Sequence, residues 1–272
     1  LPPVVPSSPR ESLGGLFAEG TIPDYLDQPM EVLIAGCGTG RHSIQTARRF
    51  TSSQVIAIDL SLASLAYAER KTAELKIENL TYVQADIMAL GSLEQRFHLI
   101  ESIGVLHHLE DPAAGWRVLT SLLAPGGLMH IALYSHIARA NLDFARNAIK
   151  QSGLGNDAAS IREFRSQVMS APPGSELARV AEFGRDFYSL SNCRDLLFHV
   201  QEHQFTCVQI AAVLETLDLK FLGMEVDPWV VEAYARFNPS DPKGIDLESW
   251  HRFERDNPLT FAGMYQFWCQ KR

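Results

Sequence analysis

The sequence predicts an α/β fold with a largely parallel sheet, and three observations support this prediction. Short apolar runs alternate with helical periods through residues 31–134. The first run ends in a glycine-rich turn, and a helical pattern begins directly after that turn. Polar residues follow the later runs at the points where strands would end. Strands that are separated by helices at this spacing are joined by right-handed crossovers, which build a parallel sheet.

The elements of the first half of the chain follow from their residue patterns. Trp116, Leu119 and Leu123 lie at helical spacing after Pro112, and the Pro-Gly-Gly of residues 125–127 ends that helix. The apolar runs are too short for buried helices and have the length of strands. The five predicted strands are residues 32–35, 55–58, 80–85, 97–103 and 128–134.

Residues 135–204 have a different pattern, which is helical throughout. Ser160 and Glu163 form a capping-box signature at the start of one predicted helix. Further helical stretches are expected at about residues 175–187 and 191–203. We therefore expect a helical cap inserted into an α/β chain.

The α/β pattern returns after the cap. Thr206 and Gln209 form a second capping box, and residues 220–226 have the pattern of a strand. Residues 264–270 alternate between two faces, which predicts another strand near the C-terminus. The predicted division is an N-terminal linker and lead-in helix (1–30), an α/β core (31–134), a helical cap insertion (135–204) and the C-terminal part of the core (205–272).

The composition disfavours several classes of protein. A formal net charge of −8 repels phosphate backbones, so nucleic acid is not an expected partner. The cysteines contain no C-x-x-C pair, which argues against a structural zinc site and a disulfide framework. No apolar run reaches the about 18 residues of a membrane span and no signal peptide is present, so we expect a cytoplasmic protein without a membrane partner. The closely spaced early prolines are typical of a linker in a longer protein.

The glycine-rich turn is the strongest functional signal. Gly36, Gly38 and Gly40 follow an apolar strand and precede a helix, with the spacing G-x-G-x-G. Glycines let the backbone turn sharply and let a ligand approach main-chain N–H groups. A dinucleotide fingerprint would need its third glycine one residue later, where Arg41 stands. A nicotinamide cofactor is therefore the weaker interpretation.

Acidic residues follow the second and third predicted strands. Asp59 ends the second strand. A carboxylate at this distance from a glycine-rich turn can accept hydrogen bonds from both hydroxyl groups of a ribose. Alternatively, Asp59 is an ordinary helix N-cap, because a helix follows it. Asp86 and Ile87 close the third strand, and residues 101–111 leave the fourth. In a parallel sheet these segments meet at the carboxyl edge, where ligands bind.

These ordered motifs resemble the class I S-adenosylmethionine (SAM) dependent methyltransferase family over residues 31–134. The resemblance implies SAM as the cofactor and a Rossmann-like sheet of seven strands, mostly parallel and closed by an antiparallel last strand. One departure is Ile34, which stands where many family members have an acidic residue, and we expect main-chain carbonyl groups to hold the SAM amino group instead. The cofactor-binding residues predicted in this way are Ala35, Gly36, Cys37, Gly38, Gly40, Asp59, Leu60, Asp86, Ile87, Ser102 and Val105.

The second half of the chain resembles bacterial methyltransferase modules that are often fused behind tetratricopeptide repeats. The segments that carry this resemblance are residues 187–191, 197–203 and 263–268. The resemblance implies an upstream tetratricopeptide-repeat domain. The methyl acceptor expected for such an enzyme is a small molecule or a protein or peptide.

Catalytic residues are expected at the carboxyl edge and in the cap that covers it. A histidine can act as a general base near neutral pH, and a carboxylate or phenol at a strand end faces the cleft. Each candidate also has a structural interpretation as a packed or paired side chain. The candidates are His107, Tyr134, Glu101, His199 and Glu202, and the cap residues Phe187, Tyr188 and His203 are expected to line the acceptor pocket with them.

Two alternatives from other classes remain open. The H-x-x-E-H pattern of zinc proteases is matched by His199, Glu202 and His203. Two histidines four residues apart on a helix can share a metal. This pattern would make the chain a metal-dependent hydrolase, but it lacks a clear third ligand, and we expect no metal. The other alternative is a non-catalytic module of the same fold that binds a partner.

Overall fold

The computed structural model describes residues 3–18, 21–183, 185–198 and 202–272. Its strands are β1 (Glu31–Ala35), β2 (Gln54–Asp59), β3 (Leu80–Gln84), β4 (Phe97–Ile103), β5 (Leu123–Leu133), β6 (Leu219–Met224) and β7 (Tyr265–Lys271). Its α-helices are α1 (Pro9–Leu13), α2 (Arg41–Arg49), α3 (Leu62–Glu74), α4 (Pro112–Ser121), α5 (His136–Ser152), α6 (Ala158–Ser170), α7 (Glu176–Arg179), α8 (Arg185–Tyr188), α9 (Leu190–Leu197), α10 (Cys207–Thr216), α11 (Pro228–Phe237) and α12 (Leu247–Asp256). Short 3-10 helices lie at Gly14–Leu16, Asp24–Asp27, Ile87–Ser92, Leu106–His108 and Val180–Phe183.

The strands form one seven-stranded sheet in the order β3-β2-β1-β4-β5-β7-β6. The neighbours from β3 to β5 run parallel, and β7 runs antiparallel to both β5 and β6. This confirms the predicted Rossmann-like fold class, including its antiparallel last strand. The strand order reverses between β1 and β4, and open α/β sheets bind ligands in the crevice at such a switch point.

Helices cover both faces of the sheet. On one face, Trp116 of α4, Ile210 of α10 and Trp250 of α12 belong to one hydrophobic core. On the other face, Ile44 of α2 and Leu65 of α3 belong to a second core. Side chains alternate along a strand, so consecutive residues of β4 and β5 face opposite layers. This alternation separates the polar residues of the two strands into different sites.

The helices between β5 and α10 bury their apolar faces against one another. Leu142 of α5, Phe164 of α6 and Leu196 of α9 belong to a third hydrophobic cluster. Phe187 of α8 is fully buried in the same cluster, so its ring packs inside the helical layer rather than on an open wall. Tyr188, in contrast, is more than half exposed. No described helix, in this layer or in the core, is long and apolar enough to cross a membrane.

The chain returns from the helical layer to the sheet in an extended segment, residues 202–206. The N–H of Phe205 donates to the carbonyl of Tyr134 at 2.9 Å, and the N–H of His203 donates to that of His107 at 2.8 Å. Phe205 also forms a parallel bridge with Ser135. These hydrogen bonds explain why the predicted helix over residues 191–203 is too long: α9 ends at Leu197.

The two capping boxes predicted from the sequence have different outcomes. The box at α10 is confirmed, because Thr206 accepts the N–H of Gln209 and the Gln209 side chain accepts the N–H of Thr206. The box at Ser160 is wrong, because Asp157 is the N-cap of α6 and accepts the N–H of Ser160. A carboxylate one turn earlier is itself a strong cap, so the helix begins before Ser160.

Candidate active site

The glycine-rich turn after β1 folds back against the end of β2. The N–H groups of Gly36 and Cys37 both donate to the carbonyl of Ile58, at 2.9 and 2.8 Å. Gly36 has a φ of +84°, and a Cβ on it would lie 2.3 Å from Cγ2 of Val105. Both the backbone and the neighbouring side chain therefore require glycine at this position.

Asp59 ties the glycine-rich turn to the end of β2. Its Oδ2 accepts the N–H of Gly38 at 2.7 Å, and its Oδ1 accepts the N–H of Ser61 at 2.8 Å. The interpretation of Asp59 as the N-cap of the next helix is wrong, because the Ser61 side chain caps α3. A carboxylate has about four lone pairs. Asp59 can therefore hold the turn and still accept hydrogen bonds from a ribose.

A cleft opens where β1, β2 and β3 end and the chain leaves β4. It measures about 100 Å³. Small-molecule sites usually measure about 300–1,000 Å³, so only part of a SAM molecule would be enclosed there. The predicted cofactor-binding residues in its wall are Gly36, Asp59, Leu60, Asp86, Ile87 and Val105. The sequence analysis missed Ile58, Ala85 and Leu109, which also line it and are apolar residues beside or near predicted ones.

The other predicted cofactor-binding residues, Gly38 apart, lie behind this wall. Ala35 and Ser102 are fully buried within strands. Gly40 packs against α3, where a Cβ would lie 2.5 Å from Cβ of Ala68. Cys37 is buried, and burial raises the pKa of its thiol to about 12, so the thiol is neutral near pH 7. The contact of these four residues with a cofactor stays a prediction.

The chemistry of the cleft fits the parts of SAM. Asp59 offers hydrogen-bond acceptors for the ribose hydroxyl groups, and Ile58, Ile87 and Leu109 offer apolar contacts for an adenine ring. Asp86 is exposed at the rim, although its Oδ1 already accepts the N–H of Met88 at 2.9 Å.

Aromatic and imidazole rings cluster beside the cleft, after the ends of β4 and β5. The ring centroids of His107 and Tyr134 are 4.0 Å apart, and those of His107 and His108 are 4.3 Å apart. His107 is fully buried. Because β4 and β5 are parallel neighbours, the residues that follow the two strands lie close together. Two of the predicted catalytic residues, His107 and Tyr134, are thus brought together.

Two arginines of α5 hold the Glu202 carboxylate beside this ring cluster. Arg139 donates from Nη1 at 3.0 Å, and Arg146 donates from Nη2 at 2.7 Å. The guanidinium of Arg139 also stacks on Tyr134, 3.2 Å from the ring centroid. The side chains of Arg139 and Glu202 are each only 3% exposed, so this pair is shielded from water. These contacts indicate that Glu202 anchors the returning segment rather than contacting an acceptor.

The described members of the metal-site pattern, Glu202 and His203, are not arranged as a helical metal site needs. His203 lies in an extended segment instead of a helix, and Glu202 is already bound by two arginines. His199 lies outside the described residues. No group of three or more His, Cys, Asp or Glu side chains in the described ranges is arranged to hold a metal ion. The hydrolase alternative has no support in the described residues.

Glu101 occupies the opposite face of β4, beneath the start of α2, and does not join the ring cluster. Thr46 donates to its Oε2 at 2.7 Å, and Nε2 of His42 lies 3.1 Å from the same oxygen. Nδ1 of His130 lies 3.5 Å from Oε1. Burial alone would raise the pKa of Glu101, but the two histidines outweigh it and hold the pKa well below its usual range. Glu101 is therefore a buried, ionised and paired carboxylate.

A second buried carboxyl group, Glu254 of α12, was missed by the sequence analysis. It accepts hydrogen bonds from Ser135 and, at 2.5 Å, from the hydroxyl of Tyr265. Burial raises the pKa of Glu254. Its place on the apolar stripe with Leu247 and Trp250 is the signal that would have revealed it. Because Ser135 begins α5, this cluster fixes the chain where it leaves β5.

The comparison with protein families identifies the core. Residues 32–127 match the family model described as "Methyltransferase domain". This segment includes the glycine-rich turn, the Asp59 and Asp86 strand ends and the ring cluster residues after β4. Residues 32–127 therefore match a methyltransferase domain in sequence, and the seven-stranded sheet agrees with that match. This match agrees with the prediction of a methyltransferase that takes SAM as its methyl donor.

Similar sequences extend beyond the matched methyltransferase domain. An uncharacterized protein of Synechococcus sp. is 32% identical over 253 residues, which cover 87% of this chain and 58% of that protein. A trans-aconitate 2-methyltransferase of Deinococcus radiodurans is 31% identical over 125 residues, which cover 46% of this chain and 43% of that enzyme. The chain thus spans about half the length of these relatives.

A solved structure shares the fold of the methyltransferase domain and of the helices after β5. PKMT2 from Rickettsia typhi aligns with 100% of this chain and 55% of its own, at a TM-score of 0.71 and 17% identity. Its complex with AdoHcy, the demethylated form of SAM, aligns with a TM-score of 0.68 and 18% identity. Identities this low establish a shared fold only.

Proposed function

We propose that the chain transfers the methyl group of SAM to a nucleophile of a small-molecule acceptor. The observation that carries this proposal is the cleft at the switch point of the sheet, where Asp59 holds Gly38 and keeps further lone pairs available. Bound SAM supplies an activated methyl group on its sulfonium. In the transfer, the bond from sulfur to the methyl carbon breaks as the bond from the acceptor nucleophile forms.

The residues of the chain align the two reactants and receive a proton. Asp59 would hold the ribose, and the ends of β2 and β3 would hold the adenine. His107 is the proposed general base, since an imidazole nitrogen can take the proton of an acceptor N–H or O–H group. Tyr134 would position the acceptor beside it. Most of the rate would come from alignment, which can supply about 7–11 kcal/mol in well-oriented reactions.

An acceptor of small size agrees with the enclosure of this side of the cleft. His107 is fully buried, and the extended return segment of the cap hydrogen-bonds to its carbonyl. The relative from Deinococcus radiodurans is named for a small-molecule acceptor, trans-aconitate. An enclosed site also excludes water, which protects the alignment of the reactants.

Calorimetric titration with AdoHcy tests the cofactor site. A charge-assisted hydrogen bond contributes about 1.5–3 kcal/mol, and each 1.4 kcal/mol changes affinity about tenfold. Asp59→Ala should therefore weaken AdoHcy binding by about tenfold to a hundredfold or more. Asp157→Ala removes a carboxylate cap from α6 and serves as the matched control with unchanged affinity. Equal affinity of Asp59→Ala and the wild type would remove Asp59 from the site.

Labelled SAM tests the reaction and the class of acceptor together. The protein is incubated with methyl-labelled SAM and with the small-molecule and macromolecular fractions of a bacterial extract. Label in the small-molecule fraction supports the proposal. Label found only in protein or peptide would show that the acceptor is a protein or peptide and not a small molecule. Binding of SAM without transfer to either fraction would favour the non-catalytic module.

The domain division is also part of the proposal. The separate hydrophobic cluster of α5 to α9 supports a cap at residues 135–204 between core segments 31–134 and 205–272. Limited proteolysis should cut first in the cap or in residues 1–30 and leave the core segments associated. An upstream tetratricopeptide-repeat domain stays a prediction, and the coding sequence upstream of Leu1 tests it.

A further inference from the structure

A row of ionisable side chains crosses the sheet beneath the glycine-rich turn. It runs from His42 through Glu101 and His130 to Glu225, with successive nitrogen–oxygen distances of 3.1, 3.5 and 3.3 Å. Trp268 stacks on His130 with ring planes 6° apart and donates its Nε1–H to Glu225 at 2.9 Å. The proposed mechanism uses none of these residues, although the row begins at α2, directly after the turn.

The carboxylate at the centre of the row lies under the turn. Glu101 of β4 is the sheet partner of Ile34 of β1, which lies two residues before Gly36. Neighbouring strands are about 4.8 Å apart, so Glu101 supplies a carboxylate one strand away from the apolar Ile34. Only 4% of the Glu101 side chain is exposed. It therefore acts through the residues that hold it rather than by touching a ligand.

His42 is the residue through which Glu101 reaches the turn. It is the second residue of α2, which has Gly40 as its N-cap, and 35% of its side chain is exposed. Burial alone would lower the pKa of the imidazole, but the Glu101 carboxylate outweighs it and raises the pKa. Two further groups face His42: Arg49 of α2 lowers its pKa, and Glu225 after β6 raises it. The Glu101 carboxylate thus favours an imidazolium at the start of α2.

We propose that Glu101 is a positioning residue for the cofactor, because it holds the His42 imidazolium and the start of α2 where they bind the carboxylate of the methionine part of SAM. This inference rests on the proposed function. An imidazolium and the free N–H groups of a helix start both favour an anion. Thr46, one turn after His42, donates to the same Glu101 oxygen, so the carboxylate is held against two successive turns of α2.

Two ligands that differ in their amino-acid part test this inference. AdoHcy carries the amino-acid carboxylate, and 5′-methylthioadenosine has the same adenosine and sulfur without it. Glu101→Gln and His42→Gln should each weaken AdoHcy binding about tenfold to a hundredfold, the value of one charge-assisted hydrogen bond. Both variants should bind methylthioadenosine as the wild type does. Glu74→Gln removes an exposed, paired carboxylate from α3 and is the control that leaves both affinities unchanged.

The two ligands separate positioning from structural damage and from failure of the proposed function. A variant that loses affinity for both ligands equally, or for neither, would overturn this inference. The proposed function would still be upheld, because the wild-type protein binds the ligands. Wild-type protein that binds neither ligand would overturn the proposed function and this inference together. His42 is partly exposed, so His42→Gln keeps the test decisive if Glu101→Gln does not fold.

Discussion

Alanine substitutions separate the two reasons for which the turn after β1 needs glycine. Gly36 and Gly38 both have positive φ angles, +84° and +51°. A Cβ on Gly36 would lie 2.3 Å from Cγ2 of Val105, whereas a Cβ on Gly38 would meet no atom within 4 Å. Gly36→Ala therefore combines backbone strain with a collision, and Gly38→Ala introduces backbone strain alone.

The magnitudes follow from these two contributions. Left-handed backbone costs a residue with a Cβ about 1–2 kcal/mol. Extra atoms in a packed site cost about 1–3 kcal/mol more. The free energy of unfolding should thus fall by about 1–2 kcal/mol in Gly38→Ala and by about 2–5 kcal/mol in Gly36→Ala. Val105→Ala removes both colliding methyl groups, so Gly36→Ala made in that background should cost little more than Gly38→Ala.

Urea unfolding followed by tryptophan fluorescence measures these differences. The wild type, Gly36→Ala, Val105→Ala and the Gly36→Ala/Val105→Ala double variant complete a cycle in which the coupling energy reports the collision. Equal losses in Gly36→Ala and Gly38→Ala would refute the steric reasoning. A cost of Gly36→Ala that is the same with valine or alanine at position 105 would refute it independently.

Three further predictions concern the buried charges and the cofactor. Glu202→Gln leaves Arg139 and Arg146 without their counter-charge and should lower the free energy of unfolding by about 3 kcal/mol or more in urea titrations. The pKa of Glu254 is higher in the folded protein than in the unfolded chain, so the protonated carboxyl group favours the folded state. This contribution to stability is fully present below the pKa of the unfolded chain and is lost as pH rises through the pKa of the folded protein. The free energy of unfolding of Glu254→Gln should therefore rise relative to that of the wild type when the pH is increased from acidic to neutral. NADH should not bind in a fluorescence titration, because Arg41 replaces the third glycine, and tight binding would contradict this.

The sheet was predictable because the residue pattern that predicts each strand lies within a short stretch of the sequence. The strand at residues 97–103 was predicted with the bounds that β4 has, since Arg96 precedes the segment and Gly104 follows it. The start of β5 was predicted five residues late. Phe97 pairs with Leu123 before an irregularity in the ladder, so the strand continues across the Pro-Gly-Gly segment that the sequence suggested as a break. A pairing partner, rather than a local pattern, decides that boundary.

The residues around the cleft were predictable for the same reason, and the contacts of the returning segment were not. Each cofactor motif directly ends a strand, so its place in space follows from its place in the chain. Glu202, in contrast, meets two arginines of α5 more than fifty residues earlier in the chain. No periodicity near residue 202 encodes that meeting. Of the H-x-x-E-H match, the two members that the structure describes, Glu202 and His203, therefore lie outside a helix.

Ile34 and Glu101 show how the register of a sheet brings together residues that lie far apart in the sequence. The sequence places an apolar residue before the glycine-rich turn, and that departure suggested main-chain groups as the substitute. The register of β1 with β4 places Glu101 opposite Ile34. A carboxylate so deeply buried is costly unless it is paired, and His42, Thr46 and His130 supply the partners. Because two of those partners lie on α2, the helix that follows the turn, the cost of burying Glu101 is offset by the same contacts that fix the helix start.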